Sequence, residues 1–226
     1  LFSHYTAMLD PKQVLTALQD DLSASGKVTL VTGAAFEALR GTRKAVTSKG
    51  QIEFKTFVNA AGAYCDRIAH LFGIGKNYRI LPFKGIYWKL KKDVPYTVNG
   101  NIYPVPDIRN PFLGVHFTRH VDDEIFLGPT AIPAFGRENY GIFSGIDSEA
   151  AQILLTDVKM FLNNPKFRQV ALTEPRKYIK PFFFKDAARL VKQLSIDDME
   201  PSDKVGIRAQ LMDLETNELV MDFLVK

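Results

Sequence analysis

The sequence is poor in cysteine and has no long apolar run, and both shortages exclude classes of protein. Cys65 is the only cysteine among the 226 residues, so the chain can form neither an intrachain disulfide nor a cysteine-based zinc site. No apolar run approaches the roughly 20 residues that a membrane-spanning helix needs. His4, His70 and His120 lack partners at metal-ligand spacing, so no metal site is predicted.

Clustered charge of one sign is also lacking. The 29 basic and 25 acidic residues give a net charge of +4, and the densest basic group, Lys89, Lys91 and Lys92, is followed at once by Asp93. This pattern is typical of a solvated strand end, so no nucleic-acid partner is predicted. A mildly basic chain suits small anionic substrates without requiring them. The low cysteine content favours a reducing, cytoplasmic location, and peripheral contact with a membrane stays an open alternative.

The first third of the chain mixes helical and strand signals. Asp10-Pro11, followed by apolar residues at helical spacing from Val14 to Leu22, predicts a capped helix. An apolar segment that ends in small residues then predicts a strand, a tight turn and a helix. The predicted strands of this part cover 27–31, 36–39 and 51–54, a further strand with its tight turn covers 57–62, and the second helix covers 63–72.

From residue 79 onward, strand signals dominate and predict a mainly antiparallel sheet. The predicted strands cover 79–90, 101–105, 113–118, 124–127, 205–211 and 219–225. Two helices interrupt them, one beginning after Asp147-Ser148 and one marked by apolar residues from Ala187 to Leu194. The first of these helices is expected to bury Ala151, Leu154, Val158 and Phe161. The predicted fold class is therefore α/β or α+β.

The segment 57–62 ends in a turn of small residues, which joins its predicted strand to the next helix. At Ala60, Ala61 and Gly62 a ligand can approach the backbone closely, and the start of the next helix would offer N–H groups to a phosphate. An ordinary strand-to-helix connection has the same pattern, so both interpretations stay open. The usual dinucleotide fingerprint, G-x-G-x-x-G, occurs nowhere in the chain.

The strand at 113–118 carries a candidate base. Because side chains alternate between faces, Gly114, His116 and Thr118 share the polar face. An imidazole can accept a proton near neutral pH, which the oxidation of an alcohol requires. A histidine with satisfied hydrogen bonds on a half-exposed sheet fits the same pattern.

The strand at 205–211 carries a candidate carboxylate binder. Gly206, Arg208 and Gln210 share one face, where a guanidinium can bind a carboxylate through two hydrogen bonds. The alternative is a surface arginine whose stem covers the sheet. Lys84, between Phe83 and Gly85, either meets an anionic substrate or reaches solvent.

In this order, the segments resemble the L-2-hydroxyglutarate dehydrogenase/oxidase family of the D-amino-acid-oxidase-like flavoproteins. The most specific match is GNIYPVPD at 100–107 with PFLGVHFT at 111–118. Further matches cover 59–68, 81–85, 127–131, 134–140 and 206–210. The resemblance extends over nearly the whole chain.

The resemblance implies a two-domain enzyme in which the C2 hydrogen of a small dicarboxylic 2-hydroxy acid passes as hydride to FAD. It implies a partial Rossmann-like FAD-binding domain over 1–76, a mainly antiparallel substrate domain over 77–203, and strands returning toward the flavin over 204–226. The sequence does not indicate the electron acceptor.

The resemblance also implies residue roles. Ala60, Ala61 and Gly62 would present their backbone to FAD. Arg208 would hold a substrate carboxylate, and His116 would act as the catalytic base. The residues expected to line the pocket are Tyr103, Thr118 and Lys84.

The chain departs from the family pattern at both ends. The Gly-rich strand-turn-helix and the last family segment, after residues 222–223, are not found in it. We therefore expect residues 1–226 to form an incomplete enzyme that binds FAD weakly or not at all and self-associates through uncovered apolar surface. The alternatives are a relative that acts on an amino acid or glycerol 3-phosphate, and a non-catalytic remnant or binding module.

Overall fold

A computed structural model describes residues 2–106, 112–222 and 224 of the chain. The helices in these residues are α1 (Pro11–Ala24), α2 (Cys65–Leu71), α3 (Ala150–Asn163), α4 (Pro165–Thr173) and α5 (Lys180–Ala187). The strands are β1 (Phe36–Arg40), β2 (Lys44–Thr47), β3 (Gly50–Glu53), β4 (Tyr78–Leu90), β5 (His116–Arg119), β6 (Ile125–Gly128), β7 (Ile132–Pro133), β8 (Met199–Asp213) and β9 (Glu218–Leu219). Short 3-10 turns cover Gly62–Tyr64, Glu174–Tyr178 and Ile196–Asp198.

The N-terminal third contains α1 and a small antiparallel sheet in the order β1-β2-β3. As predicted, α1 begins after Asp10, whose carboxylate accepts the N–H of Lys12 at 2.8 Å. No residue of α1 is buried, and its apolar stripe stays exposed. The predicted self-association stays a prediction.

Two predicted strands of this third, 27–31 and 57–62, do not form. A strand needs a hydrogen-bonded neighbour, and neither segment pairs with any other of the described residues. The predicted helix at 63–72 forms as the Gly62–Tyr64 turn followed by α2.

The main body is a six-stranded antiparallel sheet in the order β5-β6-β4-β8-β9, with β7 beside β4. The pair β4–β8 forms its longest ladder, from Tyr78 opposite Asp213 to Leu90 opposite Met199. The predicted fold, mixed helix with a mainly antiparallel sheet, is confirmed. The predicted division at 203/204 falls inside β8, so residues 204–213 belong to the same sheet as β4.

Several predicted boundaries on this sheet are wrong. Gly114 has φ +84, a left-handed conformation that breaks a strand, so β5 begins only at His116. The predicted strand at 101–105 reduces to one bridge between Ile102 and Phe117. The motif residues Asp107 and Pro111, and residues 223 and 225 of the last predicted strand, lie outside the described residues.

The apolar periodicity of the helices did not predict correctly which of their residues are buried. In α3 the predicted core residues Leu154 and Val158 are about half exposed, whereas Ile153, Asp157 and Met160 are buried. The helix is apolar on more than one side, so packing against the sheet decided which side is buried. The helix predicted from Ala187 to Leu194 is wrong: α5 ends at Ala187, and residues 188–194 form turns instead.

Two clusters of buried residues hold these elements together. The first joins α5 to the sheet through Leu90, Phe117, Leu127, Phe183, Ala187, Val191 and Met199. The second joins α3 and α4 to the opposite end of β4 and β8 through Leu81, Phe83, Phe112, Ile153, Met160, Phe167 and Met212. Helices therefore pack against both ends of the β4–β8 pair.

A buried ion network ties α2 to the loop after β7. Arg137 is 4% exposed and forms two hydrogen bonds to the carboxylate of Asp66, at 2.6 and 3.0 Å. It also donates to Glu149 and to the carbonyl of Ala63. Burial raises the pKa of Asp66, but the hydrogen bonds from Arg137 and from the N–H of Ile80 outweigh it, so its pKa lies below 3.8.

Replacing Arg137 by methionine should destabilise the protein by about 3–5 kcal/mol, because it leaves Asp66 buried without a counter-charge. Urea denaturation measures this loss. The stabilisation from the lowered pKa of Asp66 is complete above pH 3.8 and disappears as the pH falls through the lower folded value, so the loss should shrink in acid.

The matched control for Arg137→Met is Arg67→Met, because Arg67 is exposed and shares only Glu149 with the network. Its cost should stay below about 1 kcal/mol. Equal losses from the two variants would contradict a structural role specific to Arg137.

Candidate functional site

One face of the main sheet carries a cavity of about 350 Å³. Its floor comes from the β4–β8 ladder, where Phe83 lies opposite Arg208 and Gly85 lies opposite Gly206. Residues directly opposite each other in an antiparallel pair share a face, so Arg208 and both glycines open to the same side. The walls are contributed by Tyr87, Phe112, Leu113, His116 and Pro129.

The cavity brings His116 and Arg208 together. Both side chains line it, although 92 positions of sequence separate them. The two polar strand faces predicted from alternation therefore meet in a single site. This pairing is the condition on which the chemical interpretation depends.

His116 is held in the form of a base. Its Nδ1 lies 3.0 Å from the carbonyl oxygen of Gly114, and a carbonyl only accepts, so the ring proton sits on Nδ1 and Nε2 keeps its lone pair. Burial lowers the pKa of His116 below 6.5, against a smaller opposite effect of this hydrogen bond. The ring of Tyr103 packs on the imidazole with centroids 4.7 Å apart. At neutral pH the imidazole is ready to accept a proton.

Arg208 presents its guanidinium to the cavity. The residue is exposed, and its Cζ lies 5.1 Å from the centroid of the Phe112 ring. An aromatic face orients the planar guanidinium without using its hydrogen-bond donors. Those donors remain suited to a carboxylate.

Two glycines of the floor differ in what surrounds them. A Cβ on Gly85 would lie 2.5 Å from Pro129 Cβ, so the proline of the next loop packs directly on the bare backbone. A Cβ on Gly206 would meet nothing within 4 Å and would point into free space. Gly85 is therefore required by packing, whereas Gly206 keeps the cavity open.

Lys84 is not brought into this cavity. Its Nζ donates to Asn139 Oδ1 at 3.2 Å and to the carbonyl of Gly141 at 2.5 Å, and burial lowers its pKa. It lines a separate groove together with Asp157. Burial raises the pKa of Asp157 to about 7, and its Oδ1 has no hydrogen-bond partner among the described residues.

The remaining predicted site residues do not all lie at the cavity. Tyr103 contacts it through His116, and Thr118 lies two residues along β5, paired with Phe126. The Gly62–Tyr64 turn packs against β4 and β8, but at the end of β4 where the N–H of Ile80 meets α2. The cavity and this turn thus adjoin different parts of β4.

Sequence reasoning missed Tyr87, Phe112 and Pro129 as lining residues. The parity of β4 would have indicated Tyr87, which follows Phe83 and Gly85 at every second position. That parity also places Lys84 on the other face. Pro129 gave no such signal, because its contact with Gly85 depends on how the loop after β6 folds back.

Neither a membrane-spanning helix nor a metal-binding cluster is found within the described ranges. There, no helix combines the length and apolar character that crossing a bilayer requires. Within the same residues, no group of three or more His, Cys, Asp or Glu side chains is arranged to hold a metal ion. The cytoplasmic location stays a prediction.

The fold is that of a flavin-dependent oxidase. The chain is similar to L-α-glycerophosphate oxidase from Mycoplasma pneumoniae, solved with FAD bound, with a TM-score of 0.53 and 17% identity over 87% of this chain and 43% of that chain. At this identity, the likeness shows the fold alone. A family model described as FAD dependent oxidoreductase (DAO) matches residues 1–213, and the chain belongs to that family.

The curated relatives refine the position within the family. The chain is 35% identical to the mitochondrial L-2-hydroxyglutarate dehydrogenase of Bos taurus, over 97% of this chain and 50% of that protein. It is 39% identical to the mouse protein of the same name, over 78% of this chain and 38% of that protein. The resemblance inferred from the motifs is confirmed. The chain spans about half the length of these curated relatives or less.

The described residues fit the substrate side of an FAD site. A flavin ring needs a surface without protruding side chains, and the positions where Gly114 and Gly206 lack a Cβ both face open space. Gly62, with φ +54, offers equally open backbone beside the sheet. Gly62, with Ala60 and Ala61, would face the cofactor, while Gly114 and Gly206 leave the floor of the cavity open.

Alanine at Gly85 and at Gly206 should have opposite consequences. Gly85→Ala is expected to lower the melting temperature by several degrees, because its Cβ would overlap Pro129. Gly206→Ala should unfold like the wild type but weaken ligand binding, because its Cβ enters the cavity. Thermal unfolding and calorimetric binding of 2-hydroxyglutarate measure the two effects, and a stable Gly206→Ala variant with full affinity would place the ligand elsewhere.

Proposed function

We propose that this chain forms the substrate-binding half of an FAD-dependent oxidoreductase that converts L-2-hydroxyglutarate to 2-oxoglutarate. The single observation that carries the proposal is the shared cavity of His116 and Arg208. Alcohol oxidation next to a carboxylate needs a base and a carboxylate binder in one place. The relatives named L-2-hydroxyglutarate dehydrogenase support the choice of substrate.

Each residue has one task in this reaction. Arg208 pairs with the carboxylate next to C2 and fixes the carbinol carbon over the floor around Gly206. His116 Nε2 takes the hydroxyl proton while Nδ1 stays bonded to Gly114, and Tyr103 keeps the ring in place. When bound, FAD would accept the hydride that leaves C2. The oxygen keeps the electron pair of its former O–H bond and forms the carbonyl of 2-oxoglutarate.

We also propose how the chain is divided between the two tasks. Residues 1–76 would contribute to the FAD-binding part, with the backbone at 60–62 facing the cofactor. Residues 77–203, together with the strands of 204–226, would form the substrate part. The continuous β4–β8 ladder supports treating the last two segments as one unit. Thr118 would border the pocket beside His116.

The function is tested by turnover of L-2-hydroxyglutarate by the protein expressed from its complete coding region. Arg208→Met should lower kcat/KM about 10- to 100-fold, mainly through a higher KM, because a charged hydrogen bond to the substrate carboxylate is lost. Arg40→Met, at an exposed position of β1, is the control and should behave as the wild type. Absence of turnover in the wild-type protein, or an unaffected Arg208→Met variant, would reject the proposal.

The role of His116 predicts a distinctive pH dependence. His116→Gln should lose about 10²- to 10⁴-fold in kcat, because glutamine cannot take up the proton. In the wild type, the neutral imidazole is the active form, so activity should rise with pH through the lowered pKa and level off below pH 6.5. The assay compares the rates of the wild type and His116→Gln from pH 4.5 to pH 8, and His4→Gln is the control variant. A wild-type rate still rising steeply above pH 7 would contradict this assignment.

A further inference from the structure

A β-bulge in β8 places Lys204 against Tyr87, which lines the cavity. Between the pairs Ile86–Val205 and Trp88–Pro201, Tyr87 alone faces three residues of β8, Ser202 to Lys204. Bulges of this kind redirect side chains out of the regular alternation. The hydroxyl of Ser202 accepts the N–H of Lys204 at 3.1 Å and holds the bulge in shape.

The described groups that contact the ammonium of Lys204 directly carry no negative charge. Its Nζ lies 2.7 Å from His120 Nε2, 4.6 Å from the centroid of the Phe126 ring and 5.2 Å from that of Tyr87. An ammonium only donates, so His120 receives this hydrogen bond on a ring lone pair. The two aromatic faces attract the cation but do not neutralise it.

A neighbouring lysine shows the contrast. Lys89, also on this part of the sheet, is paired with Glu124 and lies 4.0 Å from Glu200. No carboxylate of the described residues forms such a pair with Lys204, and Asp122 acts on it only through a weaker electrostatic effect. Burial lowers the pKa of Lys204 accordingly. A part-buried cation with no carboxylate of the described residues paired to it is an arrangement that an anion would complete.

Lys204 adjoins the cavity on the side away from Arg208. Tyr87 lines the cavity and contacts the Lys204 ammonium, while Arg208 lines it beyond Gly206. Four positions of strand separate the two basic residues by at most about 13 Å of backbone, which two long side chains shorten from both ends. The two basic residues therefore lie on either side of Gly206 along β8, Arg208 in the lining of the cavity and Lys204 against Tyr87 at its edge.

We propose that Lys204 binds the distal carboxylate of the substrate, the one farther from the carbinol carbon, and so makes the site specific for dicarboxylic 2-hydroxy acids. Arg208 then holds the carboxylate beside C2, and His116 faces the hydroxyl between them. Lys204 is a specificity-determining residue and takes no part in proton transfer. The proposal rests on the function proposed above and names the group that selects its substrate.

The test compares two ligands that differ only at the distal end. L-2-hydroxyglutarate and L-2-hydroxypentanoate have the same five-carbon chain, but the second ends in a methyl group. Calorimetric titration of the complete protein should show tighter binding of L-2-hydroxyglutarate. In Lys204→Met the ratio of the two affinities should fall about 10- to 100-fold, and in Lys204→Arg it should be largely retained.

Three outcomes separate this inference from the function on which it rests. Lys192→Met, at an exposed position, should keep the wild-type ratio and controls for loss of net charge. A wild-type ratio in Lys204→Met, with circular dichroism showing an intact fold, would overturn the role of Lys204 and leave the proposed function standing. A wild-type protein that binds neither ligand would overturn both.

Discussion

The long antiparallel ladder between β4 and β8 is the constraint on which the rest of the structure depends. Its hydrogen bonds set Gly85 opposite Gly206 and Phe83 opposite Arg208, and no other register would give the floor of the cavity a basic residue at one end and bare backbone in the middle. The same ladder contains the bulge at Tyr87. One set of backbone hydrogen bonds thus positions both basic residues that flank the floor.

The walls of the cavity depend on close backbone contacts. Pro129 packs on Gly85, and a side chain at Gly128 would collide with Tyr87, so the loop after β6 lies directly against β4. This contact brings β5 and His116 over the floor, because β6 pairs with β5. Buried charge stabilises the part farther away, where Arg137 joins α2 to the start of α3 through Asp66 and Glu149. The site is therefore built by packing around glycines and held from one side by an ion network.

Alternation along the strands was enough to select His116 and Arg208, since parity decides which side chains share a face. The same rule places Lys84 and Gly85 on opposite faces of β4. The prediction that Lys84 lines the pocket did not follow from this rule. The helices were harder to predict. The buried face of α3 runs through Ile153, Asp157 and Met160, whereas the stripe that is apolar in sequence, with Leu154 and Val158, lines an open groove and stays about half exposed.

The sequence by itself determined the approximate positions of β4, β5, β6 and β8 in the main sheet, the cap of α1, the family and the chemical character of the two polar faces, because all of these depend on residue type and local spacing. Only the tertiary structure decided that the faces meet in one cavity, that Nδ1 of His116 is bonded to Gly114, and that Lys204 lies beside Tyr87 with no carboxylate of the described residues paired to it. The first depends on residues many tens of positions apart, the second on the left-handed turn at Gly114 and the third on a bulge, and all three follow from register and loop packing, which local pattern does not encode.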